Sequence, residues 1–113
     1  MLDIYGIKNC DSVKKALKFF KQNDIPYKLH DFKEDSVSCD KIQQWLKDVD
    51  IKLLFNSRST TYRTLKLKEK NLNDDEKTQY LCDENLLIKR PVIEYKDTTI
   101  VGFDEEKYRR TFL

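Results

Sequence analysis

No run of apolar residues in this chain approaches the ~20 that a membrane-spanning helix needs, and no signal-peptide pattern opens it. These absences predict a cytoplasmic protein without membrane association. An excess of charge of one sign is missing as well. Lys and Arg number 22 against 20 Asp and Glu, a net +2, and no basic cluster is interleaved with aromatics, so direct nucleic-acid binding is not expected. Cysteine is scarce: Cys10, Cys39 and Cys82 cannot all pair within one chain, a poor match to a secreted disulfide scaffold and a fair match to a reducing compartment. With His30 as the sole histidine and no metal-ligand spacing among the cysteines, no metal site is predicted. No repeat, linker or low-complexity tract divides the 113 residues. A chain of that length buries roughly two thirds of its unfolded surface, so one domain folds without disulfide or metal.

What is present reads as alternating strand and helix. Leu2 to Tyr5 is a short apolar strand. After Cys10, Val13, Ala16, Leu17 and Phe20 fall at helical spacing with Lys14, Lys15, Lys18 and Lys21 opposite, which predicts an amphipathic helix. It should stop near Asn23-Asp24, because Ile25 precedes Pro26 and is pushed out of the helical region. A second strand runs from Tyr27 to Phe32. Strand, helix and strand in about 30 residues imply parallel strands, with Cys10 at the carboxyl end of the first, where open sheets place their sites.

The middle is helical. Ser38 can cap a helix with Ile42, Trp45, Leu46 and Val49 on one stripe, and Asn73 with Glu76 makes an N-x-x-E start for another carrying Tyr80 and Leu81. Between them, Leu53 to Arg63 is rich in hydroxyls and arginine. It reads either as a functional loop or as a solvated connection with capping hydroxyls. From Leu86 the sheet pattern returns: Pro91 to Tyr95, a Lys96-Asp97 turn, then Thr98 to Gly102, a hairpin. Asp104 should cap a last helix, with Phe103 and Tyr108 placed as a hydrophobic staple.

Chemistry is expected first at Cys10. A thiol at a helix start sits beside unpaired backbone N–H groups and the positive end of the helix dipole, which favour the reactive thiolate. A buried packing role is the alternative for so small a residue. Cys39, just after Ser38, also falls in a predicted first helical turn and is the rival reactive thiol; Cys82, next to Leu81, reads as packed or idle. His30 reads as a strand residue.

Four stretches, Tyr5-Gly6-Ile7-Lys8-Asn9-Cys10-Asp11-Ser12, Asn56-Ser57-Arg58-Ser59-Thr60-Thr61-Tyr62-Arg63, Leu87-Ile88-Lys89-Arg90-Pro91-Val92 and Val101-Gly102-Phe103-Asp104-Glu105, span nearly the whole chain. In that order they resemble the arsenate reductase (ArsC-like) family of the thioredoxin fold, closest to its YffB-like and Spx-like branch. The resemblance implies an α/β, thioredoxin-like fold with a four-stranded mixed sheet. It implies one domain over residues 1–113, with a helical insertion at about 36–85 between strands two and three.

For the site, the resemblance implies Cys10 as nucleophile, Arg90 as the arginine before a cis proline at Pro91, and Arg58 in the segment that supplies another basic side chain. Lys8, Asn9, Asp11, Ser12 and Pro91 would then line the substrate site. Two departures count against arsenate as the natural substrate: the family's arginine after the fourth strand falls at Gly102, and its histidine before the cysteine falls at Gly6. Val13 stands where a C-x-x-C would have its second cysteine, which excludes a thioredoxin-type disulfide there and the dithiol switch of Spx-like regulators. Two guanidiniums near a helix start could hold a carboxylate or oxyanion, and glutathione carries two carboxylates. Ordinary surface ion pairing is the alternative for either arginine.

The leading expectation is therefore a thiol-dependent reductase with no bound cofactor, using glutathione or a glutaredoxin as co-substrate. An Spx-like regulator that binds the RNA polymerase alpha subunit, and an arsenate reductase, are the alternatives.

Overall fold

The computed structural model describes residues 1–113. In chain order the elements are β1 (Leu2–Gly6), α1 (Asp11–Gln22), β2 (Tyr27–Asp31), α2 (Cys39–Trp45), α3 (Ile51–Leu54), α4 (Thr60–Thr64), α5 (Asp74–Asp83), β3 (Val92–Tyr95), β4 (Thr98–Val101) and α6 (Glu105–Phe112). Short 3-10 turns lie at Leu67–Lys70 and Asn85–Leu87. They form two units, one of Met1–Glu34 with Arg90–Leu113 and one of Asp35–Lys89. No helix is long and apolar enough to cross a membrane.

In the first unit β1 is the strand the sheet is built around. It pairs parallel with β2 (Ile4↔Leu29) and antiparallel with β3 (Ile4↔Ile93), and β4 completes the mixed order β2-β1-β3-β4. Leu2 and Ile4 on one face of β1 and Tyr5 on the other are all buried, while Asp3 beside Tyr5 is half-buried against His30. The predicted hairpin forms at Lys96-Asp97, both at positive φ (47° and 61°), the left-handed pair that matches the twist of two-residue hairpins.

Helix α1 lays Val13, Ala16, Phe19 and Phe20 inward. Phe19 replaces Leu17 on the expected stripe because α6 approaches on its side, with Phe19 and Tyr108 rings 5.6 Å apart in edge contact. Asp24 ends the helix in the left-handed region, φ 54°, and the Asn23 side chain donates to the Phe19 carbonyl at 2.9 Å. At α6 the Asp104 carboxylate accepts from the Lys107 N–H at 3.1 Å, and Phe103 meets Tyr108 at 5.0 Å, as the cap-and-staple pattern predicts. Tyr108 is fully buried; its hydroxyl donates to the Gly102 carbonyl at 2.6 Å.

The second unit is helical. Ser38 caps α2 through the Lys41 N–H, and Asn73 and Glu76 form a full capping box on α5. Ile42, Trp45, Val49, Leu54, Phe55, Leu67, Leu81, Leu87 and Ile88 are its buried apolar residues. The segment Leu53 to Arg63 is more structural than a loop: Leu54 and Phe55 are buried, Phe55 bridges to Ile88, and the buried Ser59 accepts from the Tyr62 N–H to cap α4. Cys39 and Cys82 are joined in a disulfide with Cα atoms 4.9 Å apart. Cys39 is therefore no rival nucleophile, and Cys82 is not idle; spacing along the sequence could not reveal a pairing made by α2 packing on α5.

Candidate functional site

The site begins where β1 ends. Gly6 accepts from the Phe32 N–H at 2.8 Å, which holds the end of β1 beside the end of β2. Asp31, 8% exposed, then takes both ends of the adjoining loops: its carboxylate accepts from the Lys8 N–H at 3.1 Å and from the Lys33 N–H at 2.8 Å. These bonds hold residues 6–10 in a defined turn. Gly6 is required there by close approach, since a Cβ at that position would stand 2.6 Å from Val13 Cγ2. A larger residue, including the histidine of arsenate reductases, would push α1 away from the sheet.

Cys10 occupies the N-cap of α1 in extended backbone (φ −123°, ψ 126°), and its side chain makes no capping hydrogen bond. Its carbonyl accepts the first intrahelical bond, from the Lys14 N–H at 2.9 Å, so the N–H groups of Asp11, Ser12 and Val13 lie ahead of the helical ladder. Cys10 is the one free cysteine and is half-buried. The thiol thus stands at the positive end of a 12-residue helix with its sulfur uncommitted. Asn9 and Asp11 are exposed beside it and Ser12 is half-buried. The Lys8 ammonium is held by Glu34 at 3.0 Å, and this hydrogen bond and charge raise its pKa above the ordinary lysine value. Its charge is largely offset by that partner.

The register Tyr5↔Val92 sets the Gly6 end of β1 beside the Pro91 end of β3, so the Cys10 turn and the Arg90–Pro91 bond lie at one end of the sheet. That bond is cis, as the resemblance implied. The buried Pro91 anchors the strand entrance, its carbonyl accepting from the Gly102 N–H at 2.8 Å. Arg90 is half-buried, and its Nε is fully buried without a hydrogen-bond partner. Gly102 has φ 86°, a left-handed conformation that an arginine would enter only with strain.

Arg58 belongs to the second unit. It is exposed, and its backbone N–H donates to the Asn56 side chain at 3.0 Å in the turn leading to α4. His30 sits in β2, its Nε2 2.8 Å from Asp3 Oδ1 and its ring stacked on Tyr5 at 4.5 Å, a sheet-face arrangement. Burial, with Glu94 adding to it, pushes the Tyr5 hydroxyl pKa above the ordinary tyrosine value. Asp31 and Glu34 are the residues that sequence reasoning missed. Their only signal is position, at the end of a strand that must deliver its neighbour's loop.

The chain matches the ArsC family over residues 5–111 and belongs to that family. Within it, an uncharacterized protein of Haemophilus influenzae is 40% identical over 113 residues, covering 99% of each chain. The global transcriptional regulator Spx of Staphylococcus aureus is 27% identical, covering 97% of this chain and 86% of its own. A solved YffB protein superposes with a TM-score of 0.91 at 27% identity over the whole of both chains.

Proposed function

We infer that this protein is a thiol-dependent reductase in which Cys10 is the nucleophile and glutathione the co-substrate. The observation that carries this reading is an uncommitted sulfur at the N-cap of α1, at the same sheet end as an arginine whose buried Nε has no partner. An unsatisfied buried N–H costs about 1–3 kcal/mol, which an incoming carboxylate or oxyanion would offset. A carboxylate of glutathione matches the bidentate geometry of the Arg90 guanidinium. Lys8, Asn9, Asp11, Ser12 and Pro91 would shape the substrate side, in a cytoplasmic protein.

In this scheme the Cys10 sulfur attacks the oxidised centre of the substrate, displaces a leaving group from it and forms a covalent adduct. A glutathione thiol then attacks the Cys10 sulfur, releasing the reduced product and leaving a Cys10–glutathione disulfide, and a second glutathione breaks that disulfide to release Cys10. Two electrons reach the substrate, two glutathione protons follow them, and glutathione disulfide leaves. Arsenate is disfavoured as the natural oxidant, since a side chain at Gly6 would collide with Val13 and one at Gly102 would be strained by its left-handed backbone. A regulator that contacts the RNA polymerase alpha subunit is the second reading, favoured by the similarity to Spx over most of both chains.

The two separate in one set of experiments. Glutathione-coupled turnover, with glutaredoxin added or omitted and with a mixed disulfide and arsenate as parallel oxidants, should vanish in Cys10→Ser. In Arg90→Ala the kcat/KM for glutathione should fall about tenfold, worth about 1.4 kcal/mol, while the melting temperature moves little because a charged side chain at a strand mouth adds little to a core. No turnover with any oxidant, together with capture of the alpha subunit by wild type and Cys10→Ser alike, would replace the reductase by the regulator.

A further inference from the structure

The disulfide in the second unit sits on its surface and beside a second, weaker tie. Cys39 is exposed as the first residue of α2, and Cys82 is half-buried in the last turn of α5. The buried residues of the two helices are Ile42 and Trp45 on α2 and Leu81 on α5, so each helix has apolar anchors besides its sulfur. Just outside the disulfide the Val37 N–H donates to Asn85 Oδ1 at 2.8 Å, and the same side chain donates to the Leu81 carbonyl at 3.0 Å. Residues 37–39 are thus clasped to the end of α5 by one covalent bond and one hydrogen bond. Within α2 itself the Ser38 hydroxyl accepts from the Lys41 N–H and the Ser38 carbonyl from the Ile42 N–H, each at 3.2 Å.

We propose that Cys39–Cys82 is a reversible redox site, separate from the Cys10 chemistry, whose opening releases the 37–41 segment from α5 while the unit stays folded. The Cα separation of 4.9 Å lies inside the range of about 4.4–6.8 Å usual for disulfides, so closure returns the segment to an ordinary disulfide spacing. A dithiol opens it in two steps. One of its sulfurs attacks the exposed Cys39, the S–S bond breaks, and Cys82 leaves as a thiolate that takes a proton. The second sulfur of the reductant then displaces Cys39, so the protein carries two thiols and the reductant a cyclic disulfide. Closure is the reverse two-electron exchange with an oxidised dithiol or a low-molecular-weight disulfide.

The neighbourhood selects among reductants. Asp40 and Lys41 follow Cys39, and Asp83 and Glu84 follow Cys82, so the charges next to the two sulfurs in sequence sum to a negative balance and the three carboxylates are exposed. An anionic thiol such as glutathione is repelled there, whereas an uncharged dithiol is not.

The test uses the folded Cys10→Ser chain, which holds only the two thiols in question. It is equilibrated in graded mixtures of reduced and oxidised dithiothreitol, quenched in acid, alkylated and weighed. Both thiols should appear together in one reversible transition, and dithiothreitol should open the pair at least tenfold faster than glutathione at equal thiolate concentration. Amide exchange at Val37 and Lys41 should rise at least tenfold in the open form and in a Cys39→Ser comparator, with Trp45 and Leu81 unchanged. A pair that resists excess dithiothreitol without denaturant, or never closes from the reduced folded chain, overturns the proposal. So does a pair that opens with no change at Val37 and Lys41, or one that glutathione opens equally fast.

Discussion

Replacing Gly6 by alanine tests the packing that presents Cys10 to solvent. The added methyl stands 2.6 Å from Val13 Cγ2, where ordinary van der Waals contact begins near 3.4 Å. Val13 is fully buried, and a helical valine has one strongly preferred rotamer, so the strain must move the first turn of α1 rather than a side chain. Overpacking of this kind costs about 1–3 kcal/mol, and about 2 is expected. Val13→Ala should also cost about 2 kcal/mol, from two lost methyls and the hole they leave.

The pair distinguishes steric conflict from any other cause. With Val13 cut back, the new methyl meets only its Cβ, at an ordinary 3.7 Å, and fills part of the hole. The double variant should therefore cost about 2 kcal/mol rather than the additive sum of about 4, a coupling of roughly 2 kcal/mol in a urea-denaturation cycle. Reaction of Cys10 with Ellman's reagent should change severalfold in Gly6→Ala and return toward wild type in the double. A Gly6→Ala protein within about 0.5 kcal/mol of wild type, or strict additivity, would refute the argument.

Two further outcomes follow from the same geometry. Asp31→Ala should lose about 2 kcal/mol in urea denaturation, because the Lys8 and Lys33 N–H groups lose their acceptor, and Asp31→Asn, which keeps one acceptor oxygen, should lose less. The Tyr108 and Tyr5 hydroxyls have pKa values raised by burial, so the folded state keeps protons that the unfolded chain releases above about pH 10. Their contribution is complete below that pH and declines above it; Tyr108→Phe should flatten the alkaline fall while costing about 1 kcal/mol at neutral pH for the bond to Gly102.

What could be read from the residues was whatever is local. The α1 periodicity, the Ser38, Asn73 and Asp104 caps and the Lys96-Asp97 turn depend on neighbours within a few positions, and all are present. Cys10 at a helix start belongs to the same class. The features that were missed are set by partners far along the chain. Cys39 meets Cys82 across 43 residues, Lys8 meets Glu34, and Asp31 collects amides from two loops. The segment Leu53 to Arg63 misled for a related reason: its hydroxyls signalled a loop, while Leu54 and Phe55 within it reach buried positions and Ser59 caps a five-residue helix. Phe19 takes the place of Leu17 on the expected stripe because it meets Tyr108 of α6, which the periodicity of α1 alone does not contain.

The sheet's central strand has its two partners at opposite extremes of sequence distance. β1 meets β2 through Leu2↔Tyr27, but meets β3 only through contacts such as Asp3↔Glu94, after the entire Asp35–Lys89 unit has intervened. A chain emerging amino end first therefore holds the Cys10 turn, α1 and β2 long before the strand that bears Arg90 and Pro91 exists, and closing that distance carries the entropic cost of a long loop. The contiguous unit has no such wait. The Cys10 turn and the Arg90–Pro91 bond thus come to one sheet end only at the last step of assembly, so that anything which delays docking of β3 leaves Cys10 on a half-built sheet with Arg90 still elsewhere.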